Sequence, residues 1–252
     1  MNRTDEIVHQ RTRLVFSTPN SQSQWRARTF STKEPETLDW IDSIEESSVL
    51  WDVGANVGLY SCYAAKHRNC RVFAFEPSVF NLELLARNTF LNALTGRVTI
   101  VPLPLSGTRA VNTLNMITTD WGGALSTFGE SFGYDGKPMK KVFEFSTIGI
   151  TMVDAVLVLG IPQPDYVKMD VDGIEHLILA GGQEVLRKAR GVLVEINDHF
   201  EVQAENASRY LREAGLTMTD KKHAAYFDAV GEDVGKYTFN QIWTRKQPRM
   251  DA

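Results

Sequence analysis

The sequence has very little cysteine and no long apolar run. It contains 2 cysteines among 252 residues, Cys62 and Cys70, and two thiols cannot build the disulfide framework that stabilises small secreted domains. A signal peptide is also absent, and no apolar segment approaches the roughly 20 residues that span a bilayer. These absences predict a cytoplasmic protein without a membrane span.

A surplus of positive charge is missing as well. The chain has 27 lysine and arginine residues against 31 aspartate and glutamate residues, for a net charge of −4. Because a dedicated nucleic-acid-binding protein usually carries a strongly basic face, we expect no nucleic-acid partner. The proportions of hydrophobic residues (43%) and charged residues (23%) are typical of a globular protein with a substantial core. The composition is also compatible with a homo-oligomer.

From residue 49 onward, short apolar runs alternate with segments of helical periodicity. This alternation is typical of βαβ units, which form a mainly parallel sheet. Strands are predicted at Val49–Val53, Arg71–Phe75, Val98–Val101, Tyr166–Asp170 and Val192–Ile196. We expect residues 1–47 to form a polar lead, either solvated or acting as a lid, with a short helix near its end. Residues 48–252 then form one α/β domain, with an insertion at about 109–147.

A glycine turn joins the first predicted strand to the next helix. It has the pattern D-x-G-x-N-x-G over Asp52–Gly58. Its glycines let a ligand approach the backbone, next to a helix N-terminus that favours anions. The dinucleotide pattern G-x-G-x-x-G fails, because the third and sixth positions counted from Gly54 are Asn56 and Leu59.

An acidic residue ends the second predicted strand. Glu76 lies 22 residues after Gly54, the separation at which a carboxylate reaches the ribose hydroxyls of a bound nucleoside. S-adenosylmethionine, a nucleoside with a sulfonium and an amino group, fits such an acidic pocket. We expect the cofactor to contact Asp52, Gly54, Asn56, Gly58 and Glu76, with Ser106 near the adenine. Alternatively, the glycines only shape a turn and Glu76 only caps a helix.

Three blocks of sequence occur in a distinctive order: Asp52–Ser61, Phe75–Pro77 and Val167–Glu175. Together they closely resemble the FkbM family of S-adenosylmethionine-dependent methyltransferases, and Thr151–Asp154 is similar to the family's T-x-x-D segment. The resemblance covers about Val49 to Asn197. It implies the class I methyltransferase fold, with a Rossmann-like, mostly parallel sheet flanked by helices. It also implies an O-methyltransferase that acts on a hydroxyl of a sugar, glycolipid or natural product.

A cluster of acids surrounds the end of the fourth predicted strand. Because strand carboxyl ends line the crevice of an open α/β sheet, Asp170 should face the same cleft as Gly54. Asp170 would bind the methionine amino group, and Asp172, Glu175 or His176 would remove the acceptor proton. The FkbM family usually carries glutamate where Asp172 stands.

The same acids allow two further interpretations. Asp170 with Glu195 or Asn197 could hold a divalent cation such as Mg²⁺, which would lower the pKa of the acceptor hydroxyl. Asp172 and Glu175 also have the spacing of a capping box, so both could serve the backbone. Within the insertion, aromatic residues interleave with glycines between Trp121 and Tyr134, a mixture that could form an acceptor wall.

Three rival functions are weighed against this one. An NAD-linked oxidoreductase would use a similar sheet, but the failed glycine pattern disfavours it. A nucleoside-binding protein without catalysis is the second rival, and the acids at Asp170 and Asp172 argue against it. A base-amino methyltransferase would carry [N/D]-P-P-[Y/F] after the fourth strand, where this chain has the sequence D-V-D-G over Asp170–Gly173.

Overall fold

Seven strands form the central sheet of the computed structural model, which describes residues 3–223 and 236–246. In spatial order they are β11 (Thr217–Lys222), β12 (Thr238–Thr244), β10 (Gly191–Asn197), β9 (Tyr166–Met169), β3 (Val49–Val53), β4 (Arg71–Phe75) and β5 (Val98–Val101). The run from β10 to β5 is parallel, and β12 is antiparallel to both its neighbours. This order confirms the five predicted strands and the mostly parallel sheet of the class I methyltransferase fold.

Successive side chains along each central strand enter opposite cores, as expected for strands buried on both faces. On β4, Phe73 and Phe75 pack into one core and Val72 and Ala74 into the other. The first core is covered by α5 (Met152–Leu157), α6 (Glu175–Ala180), α7 (Gln183–Leu186) and α8 (Glu201–Glu213). The second is covered by α2 (Pro35–Ser43), α3 (Leu59–His67) and α4 (Val79–Leu91).

The N-terminal segment packs on the second core. It contains β1 (Thr4–His9) and β2 (Thr12–Ser17), which form an antiparallel hairpin, and the helix α1 (Ser21–Arg28). Leu14 and Phe16 are buried in the core. Asn88 of α4 and Asn92, the C-cap of that helix, hydrogen-bond to the backbone of β2. The expectation of an irregular, solvated lead is therefore wrong, although the short helix near its end is confirmed.

The insertion between β5 and β9 forms a second, smaller sheet. Its strands are β6 (Ala110–Met116), β7 (Thr127–Phe128) and β8 (Phe143–Gly149), in the antiparallel order β7-β6-β8. The T-x-x-D segment that follows is a capping box, because Thr151 and Asp154 bond to each other's backbone N–H at the start of α5.

The spacing of apolar residues predicts one helix from Ile174 to Ala189, but the structure divides this segment into two short helices. Helices α6 and α7 are separated by Gly181 and Gly182. A Cβ at Gly181 would lie 2.8 Å from the carbonyl oxygen of Gly107. The glycine therefore lets the chain segment after β5 approach the backbone between α6 and α7 closely.

Candidate active site

The carboxyl ends of β3, β4, β9 and β10 surround a cavity of about 270 Å³. Such a position is the general ligand site of open α/β sheets. The structure brings six predicted site residues to its lining: Gly54, Asn56, Glu76, Asp170, Asp172 and Glu195. Tyr134 and Phe128 of the aromatic stretch also line it. The other predicted residues lie outside this lining.

Glycine is required at Gly54 by both backbone angle and space. The residue has φ +82°, and a Cβ there would lie 1.8 Å from the carbonyl oxygen of Asp170. Gly58 is the N-cap of α3 with φ +79°, and a Cβ there would lie 2.3 Å from Cδ1 of Leu85. Gly54 therefore lets β9 approach the turn, whereas Gly58 shapes the turn from outside the cavity.

Glu76 is a buried carboxylate that still has acceptor capacity. The backbone N–H of Asn56 donates to Oε2 at 2.8 Å, and that of Ser78 donates to Oε1 at 2.7 Å. Burial raises the pKa of Glu76 to about 7, although the two backbone bonds favour the charged form. Each carboxylate oxygen has a second lone pair, so the side chain can accept hydrogen bonds from a ligand in the cavity.

Asp170 and Asp52 are joined by a buried lysine. The Nζ atom of Lys168 lies 3.3 Å from Oδ2 of Asp170 and 3.8 Å from Oδ1 of Asp52. Burial opposes the charge of Lys168, but the nearby carboxylates, Asp170 foremost, outweigh it and raise the lysine pKa. Asp170 faces the cavity with 27% of its side chain exposed. Asp52 lies behind the turn, where it accepts a 2.5 Å hydrogen bond from Ser61.

Asp172 connects the strand end to the insertion. Its Oδ2 atom accepts a 2.7 Å hydrogen bond from the backbone N–H of Leu125, and its own φ is +60°. Burial, and then the charge of Asp170, raise the pKa of Asp172 to about 6. The same two causes raise the pKa of Glu195 well above its usual range. Glu76 and Asp172, with pKa values of about 7 and about 6, are thus two carboxyl groups of the cavity that change protonation near neutral pH.

Glu175 serves the backbone, as the capping alternative predicted. It accepts hydrogen bonds from the N–H groups of Val171 and Gly173 at 3.0 and 3.1 Å. For Asp172 that alternative is wrong, because the N-cap of α6 is Ile174 and makes no side-chain cap bond.

His176 is buried away from the cavity. Its ring lies edge-to-face on Phe200 at 5.7 Å between centroids, and only 6% of the residue is exposed. Burial lowers the pKa of this imidazole. The structure therefore does not bring His176 to the place where an acceptor would react.

Ser106 and Asn197 also lie outside the lining of the cavity. Ser106 donates its backbone N–H to Ile150, and the neighbouring residues Leu103, Pro104 and Leu105 line the cavity in its place. The side-chain oxygen of Asn197 accepts from the backbone of His199 at 2.9 Å. Within residues 3–223 and 236–246, no group of three His, Cys, Asp or Glu side chains could hold a metal ion.

The N-terminal segment supplies a wall that the motifs do not predict. Gln22, Trp25, Arg26 and Lys33 all line the cavity. The only sequence signal for them is the mildly basic character of residues 1–47, which does not distinguish Arg26 from the arginines that face solvent.

The loop Trp121–Leu125 forms the adjoining wall and is fastened from several sides. The side-chain amides of Asn56 and Asn81 donate to the carbonyl oxygen of Gly123 at 2.7 and 3.0 Å. Arg26 Nε donates to the carbonyl oxygen of Gly122 at 2.6 Å. Asn56 of the glycine turn therefore has a structural partner that its position in the motif did not reveal.

The sheet order and the position of the cavity are those of the class I methyltransferase fold. Residues 52–218 match the family model for the methyltransferase FkbM domain. The chain belongs to the FkbM methyltransferase family. Hexuronic acid methyltransferase AglP of Haloferax volcanii is 26% identical over 215 residues, which cover 80% of this chain and 77% of AglP. The 31-O-demethyl-FK506 methyltransferase FkbM of Streptomyces tacrolimicus is 25% identical over 175 residues, 62% of this chain and 67% of that protein.

Solved structures share the fold. The methyltransferase FkbM of Methylobacillus flagellatus has a TM-score of 0.53 and 14% identity, over 80% of this chain and 44% of that chain. This chain thus spans less than half the length of that structure. The tRNA m1G37 methyltransferase of M. jannaschii has a TM-score of 0.50 and 13% identity, over 98% of this chain and 59% of its own.

Helix length also bears on membrane insertion. Of the helices that the structure describes, none is long and apolar enough to cross a bilayer.

Proposed function

We propose that the protein transfers a methyl group from S-adenosylmethionine to a hydroxyl oxygen of a sugar, glycolipid or natural product. The observation that carries the proposal is Glu76, a buried carboxylate with one backbone donor on each oxygen and its side chain in the cavity lining. A vicinal diol such as ribose can donate to both oxygens. The close approach of the Asp170 carbonyl to Gly54 places Asp170 beside the glycine turn.

The charge of the cavity also fits this cofactor. Four carboxylic acids, Glu76, Asp170, Asp172 and Glu195, line it against two cations, Arg26 and Lys33. Such an excess of acids favours a cationic ligand. When bound, S-adenosylmethionine would supply the methyl group on a positively charged sulfur. The chain would contribute position and charge: Glu76 would hold the diol, and Asp170 would hold the ammonium group.

Asp172 is the residue we assign to the acceptor proton. It lines the cavity, its pKa of about 6 suits a base near neutral pH, and the bond from Leu125 fixes one of its oxygens. The other carboxylate oxygen of Asp172 could then take the proton of the acceptor hydroxyl, while the hydroxyl oxygen attacks the methyl group. His176, buried against Phe200, has no part in this assignment.

The relatives support the acceptor class. One is named for a hexuronic acid and the other for 31-O-demethyl-FK506. A sugar acid and a natural product belong to the acceptor classes proposed here.

Methyl transfer to a panel of glycans and natural products, followed by mass spectrometry, tests the proposal. Asp170→Asn keeps the shape of the side chain and removes its charge. We expect turnover to fall at least ~100-fold, the lower range for loss of a positioned catalytic group, with an unchanged circular dichroism spectrum. Binding of S-adenosylmethionine without any transfer would favour the non-catalytic alternative.

Chelation tests the metal alternative at Asp170, Glu195 and Asn197. We expect EDTA to leave the rate unchanged, because the side-chain oxygen of Asn197 is already bonded to the backbone of His199. Activity that is lost with EDTA and restored by Mg²⁺ would instead place a cation beside Asp170.

A further inference from the structure

A second, smaller cavity adjoins the first at the glycine turn. Its volume is about 50 Å³, room for roughly three to five water-sized groups. The two cavities share five lining residues and therefore meet there: Arg26, Lys33, Gly54, Asn56 and Asp170. The small cavity is too small for a nucleoside and large enough for the charged end of an amino acid.

The small cavity lies against the N-terminus of α3, because Val57, Leu59 and Tyr60 form part of its lining. The free N–H groups at a helix N-terminus favour an anion. Glu76, which we assign to the ribose, lines only the larger cavity. A ligand that extends from Glu76 past Gly54 would therefore place its far end in the small cavity.

Most of the charges around the small cavity already have a partner of opposite sign. Glu34 forms an ion pair with Lys33 and accepts a 3.1 Å hydrogen bond from the hydroxyl of Tyr60. Lys168 lies between Asp52 and Asp170. Of these groups, Asp170 keeps part of its side chain open to the cavity and can accept from an ammonium group.

Arg26 is the exception. It lines both cavities, and its guanidinium carbon lies 5.9 Å from the centroid of the Trp25 ring. Among the described residues, the one hydrogen bond of its side chain runs from Nε to the carbonyl oxygen of Gly122. In the part of the chain that the structure describes, Arg26 has no carboxylate within ion-pair distance, whereas its neighbour Arg28 pairs with Asp5 at 3.4 Å. A guanidinium presents five N–H donors in a planar fork that matches a carboxylate, so the terminal nitrogens of Arg26 are available to one.

We propose that Arg26 binds the carboxylate of the amino-acid end of S-adenosylmethionine in this small cavity, opposite Asp170, which binds the ammonium group. The inference rests on the proposed function. Arg26 lies before residue 52, where the match to the FkbM family model begins. The N-terminal segment thus completes the cofactor site from outside the matched domain.

Two ligands that differ in a single group test the inference. S-adenosylmethionine and decarboxylated S-adenosylmethionine share the nucleoside, the sulfonium and the ammonium, and only the former has the carboxylate. By isothermal titration calorimetry, wild type should bind S-adenosylmethionine about 10- to 100-fold more tightly, the range for a charge-assisted hydrogen bond. Arg26→Gln should remove this preference by weakening S-adenosylmethionine alone, and Arg26→Lys should keep part of it.

Arg28→Gln is the matched control, since Arg28 lies on the same helix and is exposed. It should leave both dissociation constants unchanged. If Arg26→Gln weakens both ligands equally, Arg26 only supports the loop at Gly122 and the inference is overturned. If Arg26→Gln leaves the affinity for S-adenosylmethionine unchanged, the inference is also overturned, and Arg26 would then be available to bind an anionic group of the acceptor. Wild type that binds neither ligand contradicts the proposed function itself, whereas wild type that binds both equally contradicts only the inference.

Discussion

Individual carboxylates in this protein are positioned by backbone N–H groups. Glu76 accepts from Asn56 and Ser78, and Asp172 accepts from Leu125. Such bonds stabilise the charged form of a buried acid and offset part of the cost of its burial. The side chains are consequently fixed in direction before any ligand arrives.

The charge of Glu76 should matter for cofactor affinity. Glu76→Gln keeps the size of the side chain and removes the charge, so we expect S-adenosylmethionine to bind about 1.5–3 kcal/mol more weakly by isothermal titration. Glu205→Gln, an exposed position on α8, is the matched control and should bind normally. Equal affinities in the two variants would remove Glu76 from the ribose site.

The pH dependence of turnover should report Asp172. A general base works when deprotonated, and the pKa of Asp172 is about 6. Turnover at saturating substrate should therefore rise as the pH increases through about 6 and then level off. Asp172→Asn should lower turnover and abolish this inflection. A variant that keeps the wild-type profile would move the proton acceptor to another group.

At the scale of elements, the loop Trp121–Leu125 is held mainly by side chains. Asn81 is buried and bonds to both neighbouring glycines, accepting from the N–H of Gly122 and donating to the carbonyl oxygen of Gly123. The loop therefore depends on a few polar contacts and not on a hydrophobic anchor of its own.

Removing Asn81 should loosen this loop selectively. In Asn81→Ala we expect faster hydrogen–deuterium exchange at Gly122, whose amide loses its acceptor, while the strands of the central sheet keep their protection. The acceptor KM should also rise, because Ala124 and Leu125 line the cavity. Unchanged exchange at residue 122 would show that the other contacts suffice to hold the loop.

Periodicity predicted the central strands because their apolar residues are contiguous and buried on both faces. It missed the hairpin of β1 and β2 because β1 is half exposed and its turn lacks the usual residues. Gln10 and Arg11 occupy the two turn positions with φ of 44° and 65°, where Asn-Gly would be the recognisable signal. The cavity residues of α1 were also missed, because their position depends on how the whole N-terminal segment packs on the core.

Motif spacing predicted the carboxylates at strand ends well, because the topology of a parallel sheet determines where those ends meet. Gly54, Glu76 and Asp170 all reach the cavity lining. It failed to place His176 and Ser106, because the side-chain direction after a strand depends on local turns. Whether Asp172 supports a helix or faces the cavity was likewise decided by the contact with Leu125, 47 residues earlier in the chain.

At the scale of the whole molecule, the N-terminal segment contributes to the hydrophobic core. Phe16 is 1% exposed and belongs to the core that also contains Leu50 and Val72 of the central sheet. The division of the chain into residues 1–47 and 48–252 stays a prediction. Because the two parts share a core, we expect each to stabilise the other.

Truncation of Phe16 measures this dependence. Phe16→Ala should lower the free energy of unfolding by about 3–5 kcal/mol in chemical denaturation, the usual cost of removing a buried phenylalanine. Val8→Ala, on the exposed face of the same hairpin (64% exposed), should change it by less than about 0.5 kcal/mol. A loss below 1 kcal/mol at Phe16 would show that the segment is dispensable to the fold.

The position of β12 has a consequence for protein synthesis. This strand is near the C-terminal end of the described chain, yet it lies between β10 and β11 in the sheet. The lining of the larger cavity extends from Gln22 to Thr238, the first residue of β12. A nascent chain on the ribosome therefore holds the glycine turn and all the cavity acids long before the sheet can close. The larger cavity is complete only when Thr238 and the rest of β12 have emerged.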